Sequence, residues 1–259
     1  VALDNILTGH DYPESVSRLL GQSVVVSALL GASLKIDGTF ILQTKTDGPV
    51  DLLVADYKSH GGLRAYAHFD AEKVAALGYS LLVVDLFGEG KRSTRAEPDA
   101  ARYMNALKDD RALLRDRVNA AHRLLKQQEG VAPARTAAIG FCFGGLCVLD
   151  LARSGADIAG GVSFHGVYDA PPFPNATISA KLLVCHGWED PIAPPEATVG
   201  LARELTEAGC DWQIHAYGHT GHAFTDESVH MPEKGLAYSP AADRRSFKAM
   251  TDFLSELFD

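Results

Sequence analysis

Ile139-Gly140-Phe141-Cys142-Phe143-Gly144-Gly145 sets a cysteine between glycines, where the apolar run 136–141 breaks and a helical pattern begins. A nucleophile on a sharp strand-to-helix turn needs this spacing. Glycines two residues before and two after leave room for a strained backbone, and the side chain stands clear of the sheet. The usual form of this elbow carries serine; here the reactive atom is sulfur. Taken alone, the motif reads equally well as a cysteine buried beneath a helix, because free cysteine is among the most buried side chains.

Outward from this stretch the chain alternates short β-like runs with longer amphipathic ones. Residues 52–55 read as a strand, followed by a polar, glycine-rich loop through Gly62 and a helical pattern over 65–77 that ends at Gly78, a C-cap candidate. Residues 80–85 read as a second buried strand. Residues 109–128 read as a long helix with Leu113, Leu114, Val118, Ala121, Leu124 and Leu125 on one face. Further strands are expected at 160–164, 181–185 and 212–217, and further helices after Gly144, over 196–208 and over 241–257. Such alternation gives an α/β fold: a mostly parallel central sheet flanked by helices on both faces. The expected organisation is one domain over 1–259, with 1–48 supplying added strands at the sheet edge. Ligands in such sheets lie beyond the carboxyl ends of the strands.

The 259 residues are 46% hydrophobic and 22% charged, enough for a sizeable core. With 24 Lys and Arg against 33 Asp and Glu, the net charge of −9 argues against a nucleic-acid partner and against an anionic membrane surface. No apolar run has the length of a membrane span, and 23–30 lacks the basic flank and cleavage context of a signal peptide. Cys142, Cys147, Cys185 and Cys210 match neither zinc spacing nor a CxxC pair. Cys147 and Cys185 read as buried small hydrophobes. A thiol that must stay reduced suits the cytoplasm. His215, His219, His222 and His230 are irregularly spaced without an HExxH pattern, so no metal is expected.

Two further motifs supply partners for the thiol. His186-Gly187-Trp188-Glu189-Asp190-Pro191 follows the strand at 181–185, and a carboxylate there can orient an imidazole. Glu189 and Asp190 compete, and Pro191 favours Asp190 as the acid-bearing turn. Gly218-His219-Thr220-Gly221-His222-Ala223-Phe224 follows the strand at 212–217. His222 has an apolar pair behind it to seat the loop; His219 does not. The chain order of nucleophile, acid and base at 142, 190 and 222 is the α/β-hydrolase order. The N–H of Phe143, next after the nucleophile, is an expected oxyanion donor.

On these motifs, together with Gly62-Leu63, Ala75-Ala76-Leu77-Gly78-Tyr79, Asp85-Leu86-Phe87-Gly88 and Ser163-Phe164-His165-Gly166, the chain resembles the dienelactone hydrolase family of α/β-hydrolases from about residue 50 onward. The resemblance implies the α/β-hydrolase fold and a Cys142, Asp190, His222 triad. It further implies opening of lactones or cleavage of small esters without a cofactor. The family's activating Glu has no counterpart in the loop 55–62, where Asp56 is the nearest acid. The N–H of Tyr57 is the second oxyanion donor expected from that loop. His60, His165 and Trp188 join Asp56 as candidate activating or pocket residues. Where the family holds a substrate carboxylate with an arginine four residues after the histidine, this chain has Asp226, which disfavours dienelactone itself. Arg92, Arg95 and Arg102 are the arginines near an expected pocket wall, and they read as solvated.

The expected chemistry is therefore a cysteine hydrolase acting on a small-molecule ester or lactone, as a monomer or small homo-oligomer. Two other readings keep the fold: a redox-active or covalently binding thiol protein, and an inactive hydrolase serving as a binding module.

Overall fold

The runs at 137–141, 160–164, 181–187 and 212–217 all become strands of one parallel sheet in the computed structural model, which describes residues 39–45, 52–58, 62–66, 74, 77–88, 91, 99 and 101–258. The chain falls into two compact units, 1–83 and 84–259. The sheet of the second unit has the order β4-β5-β6-β7: β4 (Ala137–Phe141), β5 (Gly160–Phe164), β6 (Lys181–Gly187) and β7 (Trp212–Tyr217). Phe141, Phe164, Cys185 and His215 pair across in register, so the residues that follow each strand leave at one edge. β6 runs two residues beyond the expected end, because His186 and Gly187 pair with Ala216 and Tyr217.

Helices cover both faces of this sheet, since a parallel sheet buries both. Leu182 and Val184 of β6 point into a core with Leu146 and Leu149 of α3 (Phe143–Arg153) and Leu201 of α4 (Pro195–Glu207). On the opposite face, Gly160 leaves the space that Phe253 and Leu257 of α5 (Pro240–Phe258) fill. The helix expected over 109–128 forms as α2 (Arg111–Lys126), and a helix not read from the sequence, α1 (Arg102–Asp109), precedes it; the two are divided at Asp110, whose carboxylate accepts the Leu113 N–H at 2.9 Å and caps α2. The buried stripe of α2 is Arg111, Leu114, Val118 and His122, whereas Leu113 and Leu124 face solvent. Polar residues displace leucines from that stripe because each finds a partner: His122 meets Thr136 at 3.1 Å and Arg111 meets Asp150.

The Arg111 contact belongs to a buried ionic network. Arg111 grips both carboxylate oxygens of Asp150 at 2.8 and 2.6 Å, and Arg153 reaches Asp150 at 3.3 Å and Glu204 at 2.7 and 2.8 Å. The guanidiniums also donate to the carbonyls of Tyr168 and Asp169. α2, α3, α4 and the 165–180 connection are thereby joined at one point.

The first unit carries β1 (Thr39–Lys45), β2 (Leu52–Lys58) and β3 (Gly62–Tyr66), antiparallel in that order. β1 lies within 1–48 at a sheet edge; the rest of that segment is outside the described residues. The strand expected to stop at residue 55 continues to Lys58, because Asp56, Tyr57 and Lys58 pair with Arg64, Leu63 and Gly62. Ala65 and Tyr66, expected to begin a helix, are strand for the same reason: a hairpin partner overrides local helical periodicity. Val74 is helical, and Gly78 takes φ +91° at the turn. The run 80–85, expected as a buried strand, forms none. Val83 is 79% exposed, and among the described residues no strand pairs with this run. Two short strands not read from the sequence, β8 (His230–Met231) and β9 (Leu236–Ala237), form a hairpin. Among the described residues no helix is long and apolar enough to cross a membrane.

Candidate active site

Cys142 occupies the turn between β4 and α3 with φ 53° and ψ −115°, a conformation that costs a non-glycine residue energy. Its N–H donates to Phe164 O at 3.0 Å, and its carbonyl accepts from Gly145 N at 3.0 Å. A Cβ at Gly140 would stand 2.1 Å from Gly144 O, and one at Gly145 would stand 2.4 Å from Ser163 Oγ. A Cβ at Gly144 would meet nothing within 4 Å. The close approaches are thus two residues before and three after the cysteine, not at the expected Gly144. Phe143 opens α3, and the first N–H groups of a helix have no intrahelical acceptor. The Phe143 N–H, next in sequence after Cys142, is one of these.

Asp190 follows β6 and is 1% exposed. Its Oδ1 accepts the N–H groups of Ile192 at 2.8 Å and Ala193 at 3.3 Å, which fixes the carboxylate and leaves Oδ2 for His222 Nδ1 at 2.7 Å. His222 is held from both sides of its backbone: its N–H donates to Gly235 O at 2.8 Å, and its carbonyl accepts from Ala237 N at 3.2 Å. Gly221 permits this approach, since a Cβ there would stand 2.1 Å from Gly235 O. Nε2 of His222 lies 3.1 Å from Cys142 Sγ. Burial works against charge on this imidazole, but its hydrogen bonds to Asp190 and Cys142 push its pKa up to about 9. A cationic imidazole beside Sγ favours thiolate.

The two candidates set aside at the acid and base positions meet each other. Glu189 Oε1 lies 3.3 Å from Nδ1 of His219, whose side chain is 99% exposed. The other thiols are poor nucleophiles: burial pushes Cys147 and Cys185 up to about 12 and Cys210 to about 11.

His165 follows β5, buried, with its ring 5.0 Å from the ring of His222. Its Nε2 lies 2.9 Å from Thr225 Oγ1, a partner no sequence signal marks. Burial and the neighbouring His222 lower its pKa to about 3, so it is neutral. Trp188 is half-exposed, its ring 6.1 Å from that of His186. His186 is buried between Tyr168 Oη at 3.1 Å and Thr198 Oγ1 at 2.9 Å. Asp56 and Tyr57 lie on β2 of the first unit, and His60, Arg92 and Arg95 lie outside the described residues. Arg102 opens α1, 4.5 Å over the Tyr103 ring. Asp226 accepts from Ser228 N at 2.9 Å and Ser228 Oγ at 2.6 Å. Among the described residues no group of three His, Cys, Asp or Glu side chains could hold a metal ion.

A family model described as the dienelactone hydrolase family matches residues 42–258. The chain is 31% identical to a dienelactone hydrolase-like promiscuous phosphotriesterase, P91, from metagenomic libraries, with a TM-score of 0.68 over 86% of this chain and 100% of that one. It is 34% identical to a solved chain named m3DLH, with a TM-score of 0.69 over 85% of this chain and 98% of that one. Among curated proteins, a 33 kDa chaperonin of Caulobacter vibrioides is 53% identical over 76 residues, 29% of this chain. The chain spans 25% of that relative's length.

Proposed function

The chain belongs to the dienelactone hydrolase family, and on that premise we propose that it is a cofactor-independent hydrolase of small esters or lactones whose nucleophile is Cys142. One observation carries the reading: an unbroken path from Asp190 Oδ2 to His222 Nδ1 at 2.7 Å and from His222 Nε2 to Cys142 Sγ at 3.1 Å. His222 takes the thiol proton, and its positive charge is balanced by Asp190. Sγ adds to the ester carbonyl carbon, and the oxyanion develops against the N–H of Phe143. The carbon–oxygen bond then breaks, the leaving oxygen takes the proton from His222, and the acyl group remains on sulfur as a thioester. A water deprotonated by His222 attacks that thioester. The acid departs, and Cys142 recovers its proton. The substrate partner is a small molecule, no nucleic acid or membrane takes part, and the protein works as a monomer or small homo-oligomer. A cytoplasmic setting keeps the thiol reduced.

A second substrate class is favoured by one comparison: a similar structure is named a promiscuous phosphotriesterase. The same thiol can attack phosphorus and displace an aryloxide. Turnover of short aryl esters, simple lactones and aryl phosphotriesters by wild type and Cys142→Ala tests both classes. The proposal expects turnover of at least one class, lost by about a thousandfold or more in the variant. Undiminished turnover in Cys142→Ala contradicts it. A folded, reduced protein that alkylates readily at Cys142 but turns nothing over points instead to a redox or covalently binding thiol.

A further inference from the structure

His165 bears two local costs beside Cys142. It follows Phe164, whose carbonyl accepts the Cys142 N–H, and it adopts φ 36° although it is not glycine. Its Nδ1 is buried without a hydrogen-bond partner. Packing alone does not call for the second cost, because a phenylalanine would fill the same space with no orphaned nitrogen. The rest of the ring is held on several sides. Phe224 meets it at 82° with centroids 5.1 Å apart, Phe141 lies at 6.1 Å, and Nε2 reaches Thr225 Oγ1 at 2.9 Å. The remaining neighbour is the His222 ring, crossed at 67° with centroids 5.0 Å apart.

A neutral imidazole carries one N–H and one bare lone pair. Nε2 meets the Thr225 hydroxyl at 2.9 Å as donor in one tautomer and as acceptor in the other, so the ring is anchored in either case. The Thr225 bond fixes the plane of the His165 ring, and that plane is the wall against which His222 turns. The bond from Asp190 leaves His222 free to tilt about the Nδ1–Oδ2 line; a fixed ring against its side removes that freedom.

We propose that His165 is a positioning residue: anchored by Thr225, its ring holds His222 at the tilt that aims Nε2 at Cys142 Sγ. This rests on the hydrolase reading given above, because it concerns the same base. Misaiming a general base by a fraction of an ångström lowers the chemical step and leaves substrate binding alone.

The test compares Thr225→Val, Thr225→Ser, His165→Phe and the double variant Thr225→Val/His165→Phe. Steady-state kinetics on the best ester and the pH profile of Cys142 alkylation by iodoacetamide are read for each. Thr225→Val and His165→Phe are each expected to lower kcat about tenfold with KM within about twofold of wild type. The double variant is expected to fall no further than the worse single one, because both remove the same anchor. Thr225→Ser keeps the hydroxyl and restores wild-type kcat. In alkylation, both single variants shift the profile to higher pH, as a displaced His222 withdraws its charge from Sγ. Wild-type kcat and an unmoved alkylation profile in folded single variants overturn the proposal, as do losses that multiply in the double variant. Should the wild type turn over no ester, the hydrolase reading fails, and the alkylation profiles alone still decide whether His165 and Thr225 aim His222.

Discussion

Burial by itself strips charge from an imidazole, yet His222 is held up to about 9 by its bonds to Asp190 and Cys142. This opposition gives the site its expected pH behaviour. Protonating the leaving oxygen needs imidazolium, so kcat/KM for an ester should fall as pH rises through about 9. Alkylation of Cys142 by iodoacetamide needs no proton donor, and its rate should not fall there. A common alkaline limb for both reactions would contradict the assignment of His222 as general acid. Asp190→Asn keeps the shape and removes the charge; turnover should drop about a thousandfold or more, with the alkaline limb moved to lower pH. That Cys142, Asp190 and His222 meet was legible in sequence, because each follows a strand in a fixed order. Asp190 over Glu189 and His222 over His219 were also separable, from Pro191 and from the Ala223-Phe224 pair behind the histidine. The partner of His165 was not legible, since Thr225 meets it only after β5 and the loop beyond β7 come together.

Elements position these residues through backbone contacts that only some glycines serve. Gly140→Ala would drive a methyl group to 2.1 Å from a backbone oxygen, so the elbow must open. We expect a loss of about 2 kcal/mol or more in chemical denaturation. Gly144→Ala meets open space inside a helix and should be neutral or stabilising by about 0.5–1 kcal/mol. Equal effects of the two would contradict this account of the elbow. Glycine spacing shows where a side chain is missing but not what passes there, so the room expected at Gly144 is found at Gly145. The same limit applies to the elements themselves. The four parallel strands were readable from apolar runs set between helical stretches. The run 80–85 has the same composition and forms no strand, and 56–58 are polar and do. Pairing partners decide strands, and a single sequence does not display them. In α2, Leu114 and Val118 are buried as the apolar spacing implies, but Leu113 and Leu124 are exposed, and Arg111 and His122 are buried by partners from distant segments.

At the scale of the whole molecule, buried charge sets the expected stability. Asp150 sits between Arg111 and Arg153, and all three are nearly fully buried. Asp150→Ala leaves Arg111 without its carboxylate, while Arg153 keeps Glu204, and should cost about 3–5 kcal/mol in unfolding free energy, without moving the pH profile of Cys142 alkylation. Among the described residues, four buried histidines contribute to the pH dependence. His122, His165 and His186 have pKa values lowered by burial, so below the ordinary 6.5 the unfolded chain takes up protons that the folded one refuses. Their contribution is lost as pH falls through 6.5. His222 has the opposite sign: its contribution is complete below 6.5 and is lost as pH rises through about 9. These four groups place the stability maximum near pH 6.5, with the steeper fall on the acid side. Urea denaturation at about pH 5, 6.5 and 8.5 reads this directly, and stability rising continuously toward acid would contradict it. The central claim remains that sulfur at 142 carries the acyl group. Acid quench during turnover of a slow aryl ester, followed by peptide mass spectrometry, tests it most directly. The account predicts one acyl group on the peptide bearing Cys142 and none on Cys147, Cys185 or Cys210; turnover with Cys142 unmodified, undiminished in Cys142→Ala, would contradict it.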